Sequence, residues 1–371
     1  MPLDSLPPPP AANTRPGADY DFLLVGHGLA GALLGWELRR RGFRVLVYDA
    51  PRLDSASNVA AGLLNPVAGK RFALAWQAAE LLPAAAAAYR ALEQEFSQPF
   101  FFELPIFKVF GSLQEQQDIL TRSAARPWGD FVAEIITQEP AVAGLRAPFG
   151  GAWLRGGGYL AVRELLAALA TEGQAAGWLR TETFEWAGLV SDAAGVIYAP
   201  GRVRASRVVC CEGAAAARNP HFHWLPLTPN QGEVLDVACA GLSAAQVLNR
   251  GAYVLPQGVG TFRVGATYRW PPFAAGPTPE GEAELTSRLA ALTDQPFTVT
   301  GRRAGVRPAV RDRRPLLGAH PALPWLSFCG GYGSKGVMLA PRLAALLADW
   351  LSGKAELWPE ADLKRYYQFY K

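Results

Sequence analysis

The sequence predicts an α/β fold, and three observations predict it. The runs Phe22-Leu23-Leu24-Val25 and Val208-Val209-Cys210-Cys211 are continuously apolar, as strands covered on both faces are. Two strand-like segments, 22–25 and 326–329, each run straight into a glycine-rich turn and then a helix-like stretch. Half of the 371 residues are hydrophobic and only 18% are charged, enough to fill a core on both sides of a sheet.

Composition bounds the rest. At roughly 150 residues per domain the length corresponds to about two and a half domains. The apolar content excludes a disordered chain. The 38 glycines and 30 prolines have no period, which excludes collagen. A net charge of +4 is too small to imply a nucleic-acid partner. Cys210, Cys211, Cys239 and Cys329 include no C-x-x-C pair, so neither dithiol redox chemistry, nor a zinc ribbon, nor any other metal site is expected. They read as small buried hydrophobes of a reducing cytoplasm. No stretch approaches the ~18 apolar residues of a transmembrane helix. Residues 1–18, with Pro7-Pro8-Pro9-Pro10, read as a disordered tail and not as a signal peptide.

The first element is the most informative. Strand 22–25 leads into Gly26-His27-Gly28-Leu29-Ala30-Gly31, and residues 32–41 read as a helix with a basic last turn and Gly42 beyond it. Arg44 to Tyr48 is a second strand ending at Asp49, followed by Ala50. Gly26 permits the tight turn, Gly28 lets backbone approach a pyrophosphate, and Gly31 lets helix and strand pack closely. The helix N-terminus then faces phosphate charge, and Asp49 would accept hydrogen bonds from a ribose. Strand, loop, helix and acid are in register, so this is a dinucleotide site; His27 reads as a bystander. No second fingerprint for a nicotinamide is visible.

Residues 55–67 are rich in small side chains, among them Ser57, Ala60, Ala61, Gly62 and Leu63. A flavin needs flat, close backbone at such a place; the plain alternative is a loop with a short helix. At the far end, strand 326–329 enters Gly330-Gly331-Tyr332-Gly333-Ser334-Lys335-Gly336, and residues 337–347 read as a helix. That helix N-terminus would suit the flavin edge that gains negative charge on reduction.

With these pieces in hand, the chain resembles the FAD-dependent oxidoreductases of the D-amino-acid oxidase, glycine oxidase and sarcosine oxidase superfamily. Matching pieces fall in the family's order from residue 20 to 352: Gly26 to Gly31 with Asp49, Ala60 to Pro66, Gly157-Gly158-Tyr159-Leu160, Val208 to Cys211 with Glu212 and Gly213, Gln231-Gly232-Glu233, Tyr253 to Pro256, Val264 to Thr267, Arg307-Pro308, Pro315 to Gly318, and Gly331 to Pro341. The resemblance implies non-covalent FAD, a Rossmann-like FAD-binding domain, and an interleaved α+β substrate domain on a large antiparallel sheet. The expected division gives residues 19–76, 151–218 and 302–371 to the FAD-binding domain and 77–150 and 219–301 to the substrate domain. The implied reaction oxidises a C–N bond in a small amine or amino acid by hydride transfer to flavin N5, with oxygen or another acceptor taking the electrons.

The resemblance also implies roles. Arg307 matches the arginine that clamps a substrate carboxylate, and Tyr253 matches a tyrosine that contacts it. Arg311 reads either as a second anion clamp or as a partner for Asp312. Tyr332 and Lys335 depart from the oxidases' usual residues at the turn; Lys335 either sits near the flavin or caps the turn. The segment 309–314 also looks like the FAD domain of an enzyme that finishes a wobble-uridine modification on tRNA. A tRNA-modifying oxidoreductase is therefore one alternative, and a flavoprotein subunit passing electrons to a partner is another.

Elsewhere, residues 77–95, 112–126 and 280–294 read as helices, and Phe100 to Phe110 as one strand of the substrate domain. Trp153-Leu154 reads as the start of the return to the FAD-binding domain. Residues 178–209 read as short antiparallel strands, residues 221–270 as strands of the substrate sheet, and 271–279 as a proline-rich loop. The aromatic segment Tyr366 to Tyr370 is expected to dock on the body.

Overall fold

The computed structural model describes residues 18–50, 52–68, 72–124, 126–192 and 195–370. The expected tail, apart from Ala18, lies outside them, as do Ala193 and Ala194 of the expected turn near Asp192. In chain order the strands are β1 (Tyr20–Val25), β2 (Val45–Tyr48), β3 (Leu63–Leu64), β4 (Val67–Ala68), β5 (Ala73–Leu74), β6 (Phe101–Glu103), β7 (Ile106–Val109), β8 (Val132–Ile136), β9 (Gly151–Leu154), β10 (Gly158–Leu160), β11 (Leu179–Arg180), β12 (Leu189–Asp192), β13 (Gly195–Tyr198), β14 (Val203–Cys210), β15 (Asn230–Ala238), β16 (Val247–Arg250), β17 (Ala252–Gly258), β18 (Thr261–Gly265), β19 (Thr298–Arg307), β20 (Leu316–Ala319) and β21 (Leu326–Gly330). The helices are α1 (Leu29–Arg40), α2 (Ala56–Val59), α3 (Ala78–Phe96), α4 (Leu113–Ser123), α5 (Val162–Ala175), α6 (Pro279–Ala290) and α7 (Gly336–Leu351).

The chain divides into two compact units. One comprises residues 1–57, 163–229 and 307–371, the other 58–162 and 230–306. The first unit is built on an eight-stranded sheet. Strands β11, β2, β1, β14 and β21 run parallel in that order. Both faces of such a sheet are covered, which is why β1, β2 and β14 read as apolar runs. Strand β14 is eight residues long and, besides β1, serves two further neighbours. Its first half pairs antiparallel with β13, and its last three residues pair parallel with β21. Only β12, β13 and β14 therefore fit the antiparallel reading of residues 178–209; β11 lies parallel to β2.

The second unit carries an eight-stranded sheet in the order β19-β15-β18-β17-β16-β7-β9-β8 and a three-stranded sheet β3-β10-β6. The stretch Phe100 to Phe110 is not one strand. It breaks at Leu104-Pro105 into β6 and β7, which join different sheets. Pro105 has no N–H to continue a ladder, so the chain changes sheets there. Trp153 and Leu154, expected at the return to the first domain, lie on β9 within the second unit's sheet. Helix α6 packs on β15, β17 and β18, burying Leu285 and Leu289 against Leu235, Val237 and Val264.

The C-terminal segment docks on the first unit. Tyr367 is buried and its hydroxyl donates to the Ala319 carbonyl at 2.8 Å. The Tyr370 ring lies 4.8 Å from His320 and 5.6 Å from Trp224. His320 Nδ1 accepts the N–H groups of Ala322 and Leu323, both at 3.2 Å. Burial among these rings holds the His320 imidazole down to about 4, from an ordinary 6.5. Between those values the unfolded chain takes up a proton that the folded chain refuses, so stability is full above about pH 6.5 and falls as pH drops toward 4. Urea midpoints at about pH 7.5 and about pH 5 should show this loss. His320→Asn keeps an acceptor without titrating and should lose less; an equal loss would assign the acid sensitivity elsewhere.

Candidate functional site

The first unit gathers three loops at one end of its parallel sheet. The loop 26–31 leaves β1, residues 211–213 leave β14, and 331–335 leave β21. Gly26 has φ +105, and a Cβ there would stand 2.6 Å from the Cys211 carbonyl oxygen. A Cβ on Gly31 would stand 1.9 Å from the Gly26 carbonyl oxygen and 3.0 Å from Cys211 Cβ. Neither position tolerates a side chain, which is the physical content of the glycine pattern. Helices α1 and α7 pack together, with Gly336 beside Leu29.

The two helix starts are also electrostatically alike. Neither α1 nor α7 has an acidic residue in its first turn, and neither is capped by the side chain of its own N-cap residue. By contrast α3, α4, α5 and α6 carry Glu80, Glu115, Glu164, and Glu280 with Glu282 there. The positive ends of α1 and α7 are thus left without a carboxylate of their own helix, as an anion-binding pair requires.

The sequence-predicted residues fall as follows. Asp49 follows β2, and its Oδ1 accepts the His27 N–H at 2.8 Å. Burial raises the carboxyl above its ordinary value, against the lowering effect of that hydrogen bond. Exposed Ala50 follows it. Ser57 Oγ accepts the Leu29 N–H at 3.0 Å, tying residues 55–57 to the α1 start, where Gly28 and Ala30 also lie. Ala60, Ala61, Gly62 and Leu63 belong to the second unit, where Leu63 pairs with Tyr159 and a Cβ on Gly62 would collide with the Leu160 carbonyl.

Glu212 is occupied internally. Its Oε1 accepts from Trp186 Nε1 at 3.1 Å, and its Oε2 from Asn219 Nδ2 at 2.6 Å. It therefore positions the backbone of Glu212 and Gly213 beside Gly26 and does not present a free carboxylate. Tyr332 is likewise turned inward. Its hydroxyl lies 3.2 Å from Cys329 Sγ, and burial holds its phenol well above the ordinary range. Gly331 and Gly333 have φ +75 and +55, conformations that the turn requires. Ser334 is exposed, and Lys335 stands at the N-cap of α7 ahead of Gly336.

Arg307 ends β19, and the Gly333 N–H donates to the Pro308 carbonyl at 3.0 Å. The arginine segment and the glycine turn are thereby fastened together. Asp312 is the partner of Arg365, whose Nε donates to it at 3.2 Å, so the pairing of Arg311 with Asp312 is not formed. Tyr253 lies on β17 in the second unit, its hydroxyl over Gly265, where a Cβ would be 2.5 Å away.

Sequence reasoning missed three features. Cys211 stands in register with Cys329 one step beyond the last pair of β14 and β21, a pairing that joins two of the cysteines expected to be buried. Asn219 and Trp186 close the Glu212 network from other parts of the chain. His27 is a structural member of the loop, with its ring buried, Nε2 unpaired among the described residues, and its imidazole lowered by burial to about 4. Only the adjacency of His27 to two glycines signalled any of this.

Comparison with known proteins bears on the same residues. A family model described as FAD dependent oxidoreductase matches residues 21–350. Glycine oxidase of Geobacillus kaustophilus is 29% identical over 356 residues, covering 90% of this chain and 93% of that protein. The crystal structure of glycine oxidase from the same organism superposes with a TM-score of 0.78 at 26% identity, covering 94% of this chain and 97% of that chain. The tRNA 5-methylaminomethyl-2-thiouridine biosynthesis bifunctional protein of Idiomarina loihiensis is 27% identical over 93% of this chain and 58% of that protein.

The Gly26–Gly31 contact sets a direct expectation. Gly31→Ala should weaken retention of bound flavin by at least about tenfold, because no rotamer relieves a Cβ facing backbone. Flavin absorbance per mole of purified protein measures it. Gly42→Ala, whose Cβ meets nothing within 4 Å, should leave flavin content unchanged.

Proposed function

The chain belongs to the family of FAD dependent oxidoreductases, and on that premise we propose that it oxidises the C–N bond of a small amine or amino acid. Its cofactor is FAD, whose bound flavin ring supplies the hydride acceptor. The residues fit such a group: the loops at Gly26–Gly31 and Gly331–Gly336 leave two helix starts uncompensated, and side chains are excluded where backbone would approach it.

Gly26, Gly28, Leu29, Ala30 and Gly31 would hold the pyrophosphate, Asp49 and Ala50 the ribose, and Ser57 with Ala60 to Leu63 the adjoining cofactor surface. Glu212 and Gly213 would brace the loop, and Gly331 to Gly336 would face the flavin edge. Arg307 would clamp the substrate carboxylate with a planar, bidentate fork. Tyr253 would add a hydroxyl donor. No general base is needed where the amine binds neutral, since the residues then have only to orient it.

The observation that carries this reading is the hydrogen bond from Gly333 to Pro308. It sets Arg307 one residue from the turn that opens α7. A second reading, oxidation of an N-substituted glycine on a tRNA base, takes support from the likeness to the Idiomarina protein, of which this chain spans just over half the length. A tRNA electrophoretic shift that fades with salt would favour it.

Anaerobic mixing of the flavoprotein with glycine, N-methylglycine and D-amino acids should bleach the flavin with at least one of them. Failure with every amine and amino acid tried would refute the proposal. Arg307→Ala should raise KM for a carboxylate substrate by about 10- to 100-fold, the equivalent of ~1.5–3 kcal/mol for a charged hydrogen-bonded pair, with flavin content kept. Unchanged kinetics would remove Arg307 from the site.

A further inference from the structure

The large sheet of the second unit carries a row of side chains that the chemistry above uses at one point only. Five residues lie side by side across neighbouring strands: Ala152 on β9, Lys108 on β7, Asn249 on β16, Tyr253 on β17 and Gly265 on β18. Their chain neighbours Phe107, Leu248, Val254 and Val264 fill the core beneath α6. Side chains alternate along a strand, so the row lies on the other face of the sheet. Neighbouring strands stand about 4.8 Å apart, so three consecutive members span roughly 10 Å, the reach of one small ligand.

The middle polar member is the one left open. Lys108 is buried, and its Nζ pairs with Glu115 of α4 at 3.1 Å. The same carboxylate accepts the Gly111 N–H at 2.7 Å. On the other side Tyr253 extends over Gly265, its hydroxyl 2.5 Å from where a Cβ would stand, so the ring leans away from Asn249. Asn249 between them is half-buried, and its side-chain amide has no hydrogen-bond partner among the described residues. That amide keeps two donors and an acceptor for a ligand. A charged group brought there would give up water and meet no counter-ion, because Glu115 already neutralises Lys108. A neutral hydroxyl or carboxamide loses less water and finds both a donor and an acceptor.

We infer that Asn249 is a specificity-determining residue, whose amide bonds a neutral carboxamide or hydroxyl that the substrate carries beside the group met by Tyr253. The substrate is then an amino acid with such a group in its side chain or on its nitrogen, and neither an apolar nor an anionic group of the same shape replaces it. This rests on the reading that Tyr253 meets the substrate.

The test uses the FAD-loaded full chain and substrates of one shape. Asparagine, leucine and aspartate, each as both enantiomers, form one series. N-(carbamoylmethyl)glycine, N-isobutylglycine and iminodiacetate form the other. In at least one series the carboxamide should have a kcat/KM at least about tenfold above both of its isosteres. In Asn249→Leu the ratio of carboxamide to apolar isostere should fall at least about fivefold, and Asn249→Gln should keep part of it. Asn249→Ala repeats the measurement without added apolar surface. A residue that only shaped the sheet would change all three substrates alike. A carboxamide used no better than its isosteres in both series, or an unchanged ratio in the leucine and alanine variants, overturns the assignment.

Tyr253→Phe separates this inference from the reading it rests on. It should weaken all members of a series alike and leave their ratio. Unchanged kinetics would remove Tyr253 from the site, while the ratio in Asn249→Leu still decides the role of Asn249. If no amino acid is oxidised, binding decides instead. Succinamate should then perturb the flavin spectrum at a concentration about tenfold lower than 4-methylpentanoate or succinate, and Asn249→Leu should lose the difference. Equal binding would overturn the assignment by itself.

Discussion

The first unit depends on one close approach, that of Gly31 to the Gly26 carbonyl. It allows the start of α1 to sit directly on the ends of β1 and β14, with Cys211 filling the space behind it. A methyl group on either glycine would have to displace backbone, and backbone here is the parallel sheet itself. The neighbouring structure follows from this contact. Cys211 N–H donates to the Val25 carbonyl at 2.7 Å, and Gly26 N–H to the Tyr48 carbonyl at the same distance. The loop is therefore fixed by strands on both sides before any ligand arrives. Such pre-organisation matters for an oxidoreductase whose protein part mainly orients its reactants.

Electrostatics builds on that packing. Four helices in this chain answer their own dipoles with glutamate in the first turn, and α1 and α7 do not. Long-range packing brings those two together, so their uncompensated ends act on one place. The carboxylates nearby are withheld from it. Asp49 gives one oxygen to the His27 N–H, and Glu212 is consumed by Trp186 and Asn219. The unit thus offers backbone N–H groups and positive dipole ends where a pyrophosphate and a reduced flavin edge would carry negative charge.

What was legible in the sequence is what is local in the chain. The strand, loop, helix and acid from Phe22 to Asp49 lie within thirty residues, and their spacing alone states the geometry. The turn at Gly330–Gly336 reads for the same reason. The Glu212 network was not legible, because Trp186, Glu212 and Asn219 meet only after β12, β13 and β14 have folded back on one another. The meeting of Gly26 with Cys211 needs the parallel pairing of β1 with β14, which spans 185 residues at Val25 and Cys210. Sequence adjacency also misled. Asp312 stands next to Arg311 yet bonds Arg365, and Phe100 to Phe110 looks continuous until Pro105 interrupts its ladder.

The Arg365 contact shows why the aromatic C-terminal segment belongs to the site's architecture. Besides Asp312, its guanidinium donates through Nη2 to the Pro315 carbonyl at 2.9 Å and through Nη1 to the Asp362 carbonyl at 2.8 Å. One side chain thus fastens the end of the chain to both sides of Arg313 and Arg314. Tyr367, donating to Ala319, fixes the same segment onto β20, which pairs with β21 and so with the strand that feeds the glycine turn. Repulsion among like charges works against a loop holding its shape. Here bonds from outside the loop add to its own, from Arg365 at one end and from Pro226, Thr228 and Gly333 at the other. The positive charge of this chain is small in sum, but in this loop it is held in place by bonds from both sides.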